Sequence, residues 1–201
     1  IPITEIGGTQ EIIPQPWIVR SIDTMKISRD KARVWLETGK PTNQEIISYL
    51  HQIRSWQANY VAIGTPYDEE FYSYIKLWSD LAHQAGLRVW YRGNWSGWEG
   101  WFDYPKNLTR EDHLARTYNF IKNHPDLFED GDSFTPCPEC ENGGPGDPRV
   151  TGDTAGFRKF LVDLNTVSQK AFKEIEISVN SNWFSVNGDI ARLILDRETV
   201  Q

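Results

Sequence analysis

The chain has 201 residues, of which 39% are hydrophobic and 24% charged, so it can form a packed core and is not expected to be disordered. Its net charge of −7 and its scattered Lys and Arg residues exclude nucleic acid as a favoured partner. No apolar run approaches the roughly 18 residues that span a bilayer, so we expect no membrane partner. Because the chain begins at Ile1 without a methionine, we expect that a leader or upstream segment was removed. The compartment stays open, with an extracytoplasmic location slightly favoured.

The first predicted strand follows an irregular lead-in. Residues 1–16 hold three prolines and a Gly-Gly pair, which interrupt helical and strand patterns alike. Residues 17–22 then form an apolar, β-branched run that predicts a strand. Thr42 followed by Glu45 is a capping box, and apolar residues at helical spacing follow it. We therefore divide the chain into a lead-in, 1–16, and one domain, 17–201.

The same strand-then-helix pattern recurs along the domain. Four further strands are predicted at residues 60–64, 87–91, 132–135 and 175–179. Each is followed by apolar residues at helical spacing, which predict helices within residues 71–86, 109–121, 157–167 and 189–199. The chain thus reads as five strand and helix units.

Alternating strands and helices predict an α/β fold with a parallel sheet, because a parallel neighbour cannot be reached through a tight turn. Both an open doubly wound sheet and a (β/α)8 TIM-barrel-like fold satisfy the pattern. No Gly-rich phosphate fingerprint follows the first strand, where Asp23 and Thr24 stand instead, so the dinucleotide-binding version lacks its main signal. We therefore favour the barrel, apparently incomplete, with about five units.

Polar and aromatic residues follow the predicted strands, where parallel α/β folds collect their active sites. Amides and guanidinium groups donate hydrogen bonds to sugar hydroxyls, while an indole covers the apolar face of a pyranose. The Trp-rich loop of residues 92–105 suggests a sugar platform, with a small satellite core as the alternative. The candidate substrate-binding residues are Asp23, Arg92, Asn94, Trp95, Trp98, Trp101, Asn180, Asn182 and Trp183.

Two glutamates after the fourth strand are the candidate catalytic residues. In extended chain, Glu139 and Glu141 share one face, with carboxylates roughly 6 to 7 Å apart. Glycoside hydrolysis needs two carboxyl groups that flank the scissile bond. Neighbours on one strand flank a bond poorly, so we expect the second carboxylate to come from elsewhere. The alternative is that both are solvated loop residues.

Asp23, the segment from Arg92 to Asn94, Glu139 and the Asn180-Ser-Asn-Trp segment resemble the strand ends of a clan A-type glycoside hydrolase barrel. The resemblance implies a glutamate after strand four as acid/base, a role that falls on Glu139 with Glu141 in reserve. It also implies a nucleophile after strand seven, which these five units do not reach. On this reading the chain alone is an incomplete barrel without hydrolase activity. Pro138 replaces the usual asparagine before the glutamate.

These observations give a leading hypothesis and two alternatives. The leading one is a glycoside hydrolase-like protein with an oligosaccharide or polysaccharide as its ligand. A non-catalytic carbohydrate-binding or scaffold protein is the second, and an open-sheet enzyme of another class is the third. Two open sheet edges would favour self-association or a complementary C-terminal half. Cys137 and Cys140 form a lone Cys-x-x-Cys, which predicts a local disulfide or free thiols rather than a metal site, and no cofactor is expected.

Overall fold

The structure is a computed structural model that describes residues 19–40, 42–181 and 189–190. The predicted lead-in lies outside the described residues, as do Asn182 and Trp183. Of the last predicted helix, only Asp189 and Ile190 are described, and both are helical.

The described residues form short strands and longer helices in alternation. The strands are β1 (Ser21–Asp23), β2 (Tyr60–Ile63), β3 (Arg88–Tyr91) and β4 (Ser133–Phe134). The α-helices are α1 (Met25–Ser28), α2 (Ala32–Thr38), α3 (Asn43–Ser55), α4 (Tyr72–Gln84), α5 (Ser96–Glu99), α6 (Arg110–Asn123), α7 (Pro148–Thr151) and α8 (Thr154–Glu174). Short 3-10 turns cover Glu69–Phe71, Trp101–Asp103, Pro125–Leu127 and Cys140–Asn142. Across the described part of the chain, no helix is long and apolar enough to cross a membrane.

The four strands are parallel and lie in the order β1-β2-β3-β4. This arrangement confirms the predicted α/β class with parallel pairing. In the sheet register, Asp23 lies beside Ala62, Ala62 beside Trp90, and Trp90 beside Ser133. A doubly wound sheet reverses its strand order at a switch point, and no reversal occurs among these four strands.

The fifth predicted strand is wrong as a strand. Helix α8 continues to Glu174, Ile175 caps it, and Glu176 takes a left-handed backbone with φ of 58°. The helix end and the turn after it occupy the first residues of the segment 175–179, for which the β-branched pattern predicted a strand. The segment still reaches the sheet, because Asn180 forms an isolated parallel bridge with Ser133 on the far side of β4. Propensity at residues 175–179 was overridden by the length of the preceding helix.

The two faces of the sheet carry different side chains because successive residues of a strand point to opposite sides. One face packs against the helices: the Tyr91 hydroxyl donates to Ser79 Oγ of α4 at 3.0 Å, and Phe134 packs edge-on against Phe172 of α8. The other face includes Ala62 and Trp90. The same alternation continues past the end of β3, so Arg92, two residues after Trp90, lies on this second face.

Helix α3 shows how closely local signals can determine an element. The Thr42 hydroxyl accepts from the Glu45 backbone at 3.3 Å, and the Glu45 carboxylate accepts from the Thr42 backbone at 2.7 Å. The predicted capping box is therefore confirmed. The helix then buries Ile46, Leu50 and Ile53 in the hydrophobic core.

Candidate functional site

The carboxyl ends of β1 and β3 are joined by an ion pair that spans β2. Arg92 Nη1 lies 3.0 Å from Asp23 Oδ2, and the guanidinium sits 5.2 Å from the ring centroid of Trp90. The Asp23 side chain is 48% exposed and that of Arg92 is 18% exposed, so the carboxylate is open to a ligand while the guanidinium is mostly covered. The structure thus brings together two of the residues that the sequence proposed for one rim.

Asn94 is fully buried and connects the loops after β3 and β4. Its Nδ2 donates to Glu99 Oε1 at 2.9 Å and to Cys137 Sγ at 3.4 Å. Its Oδ1 accepts from the Trp95 backbone at 2.9 Å. A buried amide with all of these bonds cannot reach a ligand itself, so Asn94 acts as a positioning residue for Glu99.

A chain of hydrogen bonds continues from Asn94 into α6. Burial lowers the pKa of His113 to about 3, so the ring is neutral and carries one proton. His113 Nε2 lies 2.9 Å from Asn94 Oδ1, an atom that can only accept, so Nε2 is the donor. His113 Nδ1 then accepts from the Thr117 hydroxyl at 3.2 Å, and that hydroxyl accepts from Trp95 Nε1 at 3.3 Å. We call Trp95, Thr117, His113, Asn94 and Glu99 the Asn94 chain.

Glu99, at the end of the Asn94 chain, has an unusual acidity. Burial raises the pKa of its carboxyl to about 7, against the opposing effects of the Asn94 hydrogen bond and the positive charges of Lys106 and Arg29. The negative charge of Glu139 raises it further. A carboxyl with this pKa can both give and take a proton near neutral pH. Sequence analysis did not select Glu99, although the Trp-rich loop that it had selected contains this residue.

Glu139 and Glu141 do not share a face, so that prediction is wrong. It assumed extended chain, but a disulfide joins Cys137 to Cys140 and closes the segment into a tight turn. Glu139 is exposed, with a left-handed φ of 48°, and its carboxylate accepts from Asn142 Nδ2 at 3.0 Å. Glu141 lies in the following 3-10 turn and is only 4% exposed. Of the two, Glu139 is therefore the residue that a ligand can reach.

Two of the three tryptophans proposed as a sugar platform are buried. Trp95 is 6% exposed and Trp98 is fully buried, stacked on Phe160 with its Nε1 donating to the Cys140 carbonyl at 2.9 Å. These two therefore fit the alternative of a satellite core that holds the loop, and their faces are not available to a sugar. Trp101 is partly exposed, with the Arg29 guanidinium 5.1 Å from its ring centroid.

Asn180 is partly buried, and its backbone pairs with Asp132 and Phe134. Five residues at or after the carboxyl ends of β1, β3 and β4 form the candidate site, and we call them the rim: Asp23, Arg92, Glu99, Trp101 and Glu139. Asp23 pairs with Arg92, and the charge of Glu139 acts on Glu99.

Among the residues that the structure describes, no group of three or more His, Cys, Asp or Glu side chains is arranged to hold a metal ion. The two cysteines form the disulfide, one of the two states that the sequence left open. Comparison of the chain with protein-family models, with curated proteins and with solved structures finds no match.

Proposed function

We propose that the protein is a glycoside hydrolase-like member of the (β/α)-barrel architecture that acts on, or binds, oligosaccharide or polysaccharide at the rim. The sequential order of the parallel strands supports the barrel proposal. Crossover connections of one hand between sequential strands place all helices on one side of the sheet, which is how the first units of a (β/α)8 barrel are built.

The chemistry that fits the rim is acid/base catalysis by two carboxyl groups in different environments. Glycosidases keep one carboxyl protonated to donate to the leaving oxygen while the second is ionised. Glu99 suits the first role because its pKa is about 7. Glu139 suits the second because it is exposed and its charge acts on Glu99. The proposal therefore moves the proton-donor role from Glu139, where the resemblance implied it, to Glu99.

Recognition of the sugar is proposed to involve the remaining rim residues. The exposed Asp23 carboxylate can accept hydrogen bonds from hydroxyls, and Arg92 holds it in place. Trp101 is the tryptophan of the former platform that can offer part of its surface.

One observation supports the proposal above all others. The Asn94 chain buries three polar side chains, those of Asn94, His113 and Thr117, and it ends on a carboxyl group that is half-ionised near neutral pH. Packing alone would favour an apolar residue at such a position, because a buried carboxyl group costs free energy when it ionises. Perturbed carboxyls of this kind concentrate at functional sites.

Single replacements of the two rim glutamates test the proposal. The test uses the complete protein, in which the barrel would be closed. A panel of aryl glycosides identifies its substrate, and turnover of that substrate is then measured for Glu99→Gln and Glu139→Gln. We expect each replacement to lower turnover by about 100-fold or more, because each removes one proton-transfer or charge-stabilising group. The matched control is Glu37→Gln, which makes the same substitution at an exposed position in α2 and should leave turnover unchanged.

Two outcomes would contradict the catalytic roles. Unchanged turnover in both rim variants would refute them. Glucan binding by the wild type without turnover, unaffected by Glu99→Gln, would favour the second hypothesis, a non-catalytic carbohydrate-binding or scaffold protein.

Self-association, or pairing with a complementary C-terminal half, is proposed on separate grounds. Among the described residues, β1 pairs with β2 alone, which leaves its other edge open to a further strand, whereas the outer edge of β4 is bonded to the Asn180 backbone. A strictly monomeric species in light scattering would count against it.

A further inference from the structure

A small cavity lies between the loop after β2 and one face of α6. Its volume is about 270 Å³. The loop contributes Tyr67, Asp68 and Glu69, and Trp95 closes one side. None of the five rim residues lines it, so it is separate from the site proposed above.

Helix α6 contributes four side chains to the lining of this cavity. Three of these side chains lie three, four and seven residues after Arg116, a spacing that places all four on one face of the helix: Asn119, Phe120 and Asn123. Within the described part of the chain, the side-chain amides of Asn119 and Asn123 make no hydrogen bond, so their donors and acceptors are available to a ligand.

The base of the cavity combines aromatic rings with one buried carboxyl group. Tyr67, Trp95 and Phe120 are buried, with 4.9 Å between the ring centroids of Tyr67 and Phe120. Asp68 is 7% exposed, and its Oδ2 accepts from the Ser96 backbone at 2.8 Å.

Charged side chains of both signs line the cavity. Arg116 lies over the Trp95 ring at 5.7 Å from its centroid and acts on Asp68 with an opposing charge. Across the opening, His124 Nε2 is 3.1 Å from Glu69 Oε2. The carboxylates disfavour an anion and Arg116 disfavours a cation, so a lining of mixed charge with two amides suits an uncharged ligand that has many hydroxyl groups.

We propose that this cavity binds a single neutral sugar residue, free or at the end of a glycan. Amide, carboxylate and guanidinium groups supply hydrogen-bond donors and acceptors to the sugar hydroxyls, and the buried aromatic side chains close the base beneath them. The volume lies below the roughly 300 to 1,000 Å³ of sites for drug-sized ligands, which suits one ring. The choice of a sugar over other small neutral ligands rests on the proposed function.

The test is a titration of ¹⁵N-labelled protein, followed by NMR, with the methyl glycosides of glucose, galactose, mannose and xylose as probes. We expect shifts in the side-chain signals of Asn119, Asn123 and the Trp95 indole with at least one probe. The double variant with Asn119→Ala and Asn123→Ala should bind about tenfold more weakly, because each lost hydrogen bond to a ligand contributes modestly. Gln84→Ala, which removes an exposed amide at the end of α4, should bind as the wild type does.

The result separates this cavity from the rim. Glu99→Gln should retain the shifts at Asn119 and Asn123 even though it loses turnover, so either proposal can fail alone. No shift with any probe at concentrations well above millimolar would overturn the inference, as would binding that the double variant leaves unchanged. Shifts produced by glutamine or inorganic phosphate, and not by the glycosides, would also overturn it.

Discussion

Replacement of Glu99 by glutamine should stabilise the protein near neutral and basic pH, and should have little effect at acidic pH. A carboxyl pKa that rises from 4.5 to about 7 on folding corresponds to about 3 kcal/mol, since a tenfold change in proton affinity is worth ~1.4 kcal/mol. Below pH 4.5 the group is protonated in both the folded and the unfolded chain and contributes nothing. Between pH 4.5 and 7 the folded chain binds more protons, so stability falls as pH rises. Above pH 7 the full penalty remains.

Glutamine removes the ionisation but keeps the hydrogen bond, because its Oε1 can still accept from Asn94 Nδ2. The free energy of unfolding, measured by urea denaturation with Trp fluorescence, should therefore be similar for Glu99→Gln and the wild type near pH 4. Near pH 8 the variant should be more stable by about 3 kcal/mol. Glu37→Gln, at an exposed position, should differ from the wild type by less than about 0.5 kcal/mol at every pH.

A gap between Glu99→Gln and the wild type that is constant from pH 4 to pH 8 would refute this reasoning, because a constant gap reports packing and not ionisation. A direct check is the ¹³C titration of the Glu99 carboxyl in the folded protein. A midpoint at the ordinary value for glutamate would contradict both the stability prediction and the proton-donor role.

Three further replacements test the fold. Burial alone would lower the pKa of His83, but the hydrogen bond and charge of Asp132 outweigh burial and raise this pKa. The His83–Asp132 pair therefore stabilises the protein fully below pH 6.5, and its contribution falls as pH rises through the pKa of the folded state. His83→Gln should therefore cost about 1 to 3 kcal/mol in urea denaturation near pH 6 and less near pH 8; a loss independent of pH would argue against the charged pair. Gly93→Ala should cost about 2 kcal/mol or more in thermal unfolding, because the added Cβ would lie 2.1 Å from the Thr65 carbonyl oxygen, and a silent substitution would contradict this packing. Thr42→Ala should cost about 1 kcal/mol in urea denaturation through loss of the α3 cap, whereas Thr42→Ser should cost little.

Elements with strong local signals were predicted well. The capping box at Thr42, the apolar run of β2 and that of β3 are each determined within a few residues, and each is confirmed. Helices α1 and α2 were not predicted, since they have only four and seven residues and neither has a side-chain cap to mark its start. Their formation depends on contacts with distant residues, such as the bond from the Gly64 backbone to Ser28 Oγ at 2.9 Å.

The rim residues whose position depends on strand register could be predicted from the sequence, whereas those whose properties depend on burial could not. Asp23 and Arg92 were both placed at strand ends, and parallel pairing brings such ends together. The raised pKa of Glu99 comes from burial, with the charge of Glu139 adding to it and the Asn94 hydrogen bond opposing it, and no local sequence pattern reports that environment. Trp98 was misjudged for the same reason, because an aromatic residue in a Gly-rich loop gives no sign of whether it faces solvent or core.

The Asn94 chain limits where protons can travel. Its hydrogens all point one way, from the Trp95 indole through Thr117 and His113 toward Glu99, and this direction is fixed because the indole N–H at its start can only donate. His113 cannot hold a second proton near neutral pH, because its pKa is about 3. Any proton that leaves Glu99 must therefore be replaced from the solvent side of the carboxyl, because the Asn94 chain offers no path for a proton from the interior of the domain.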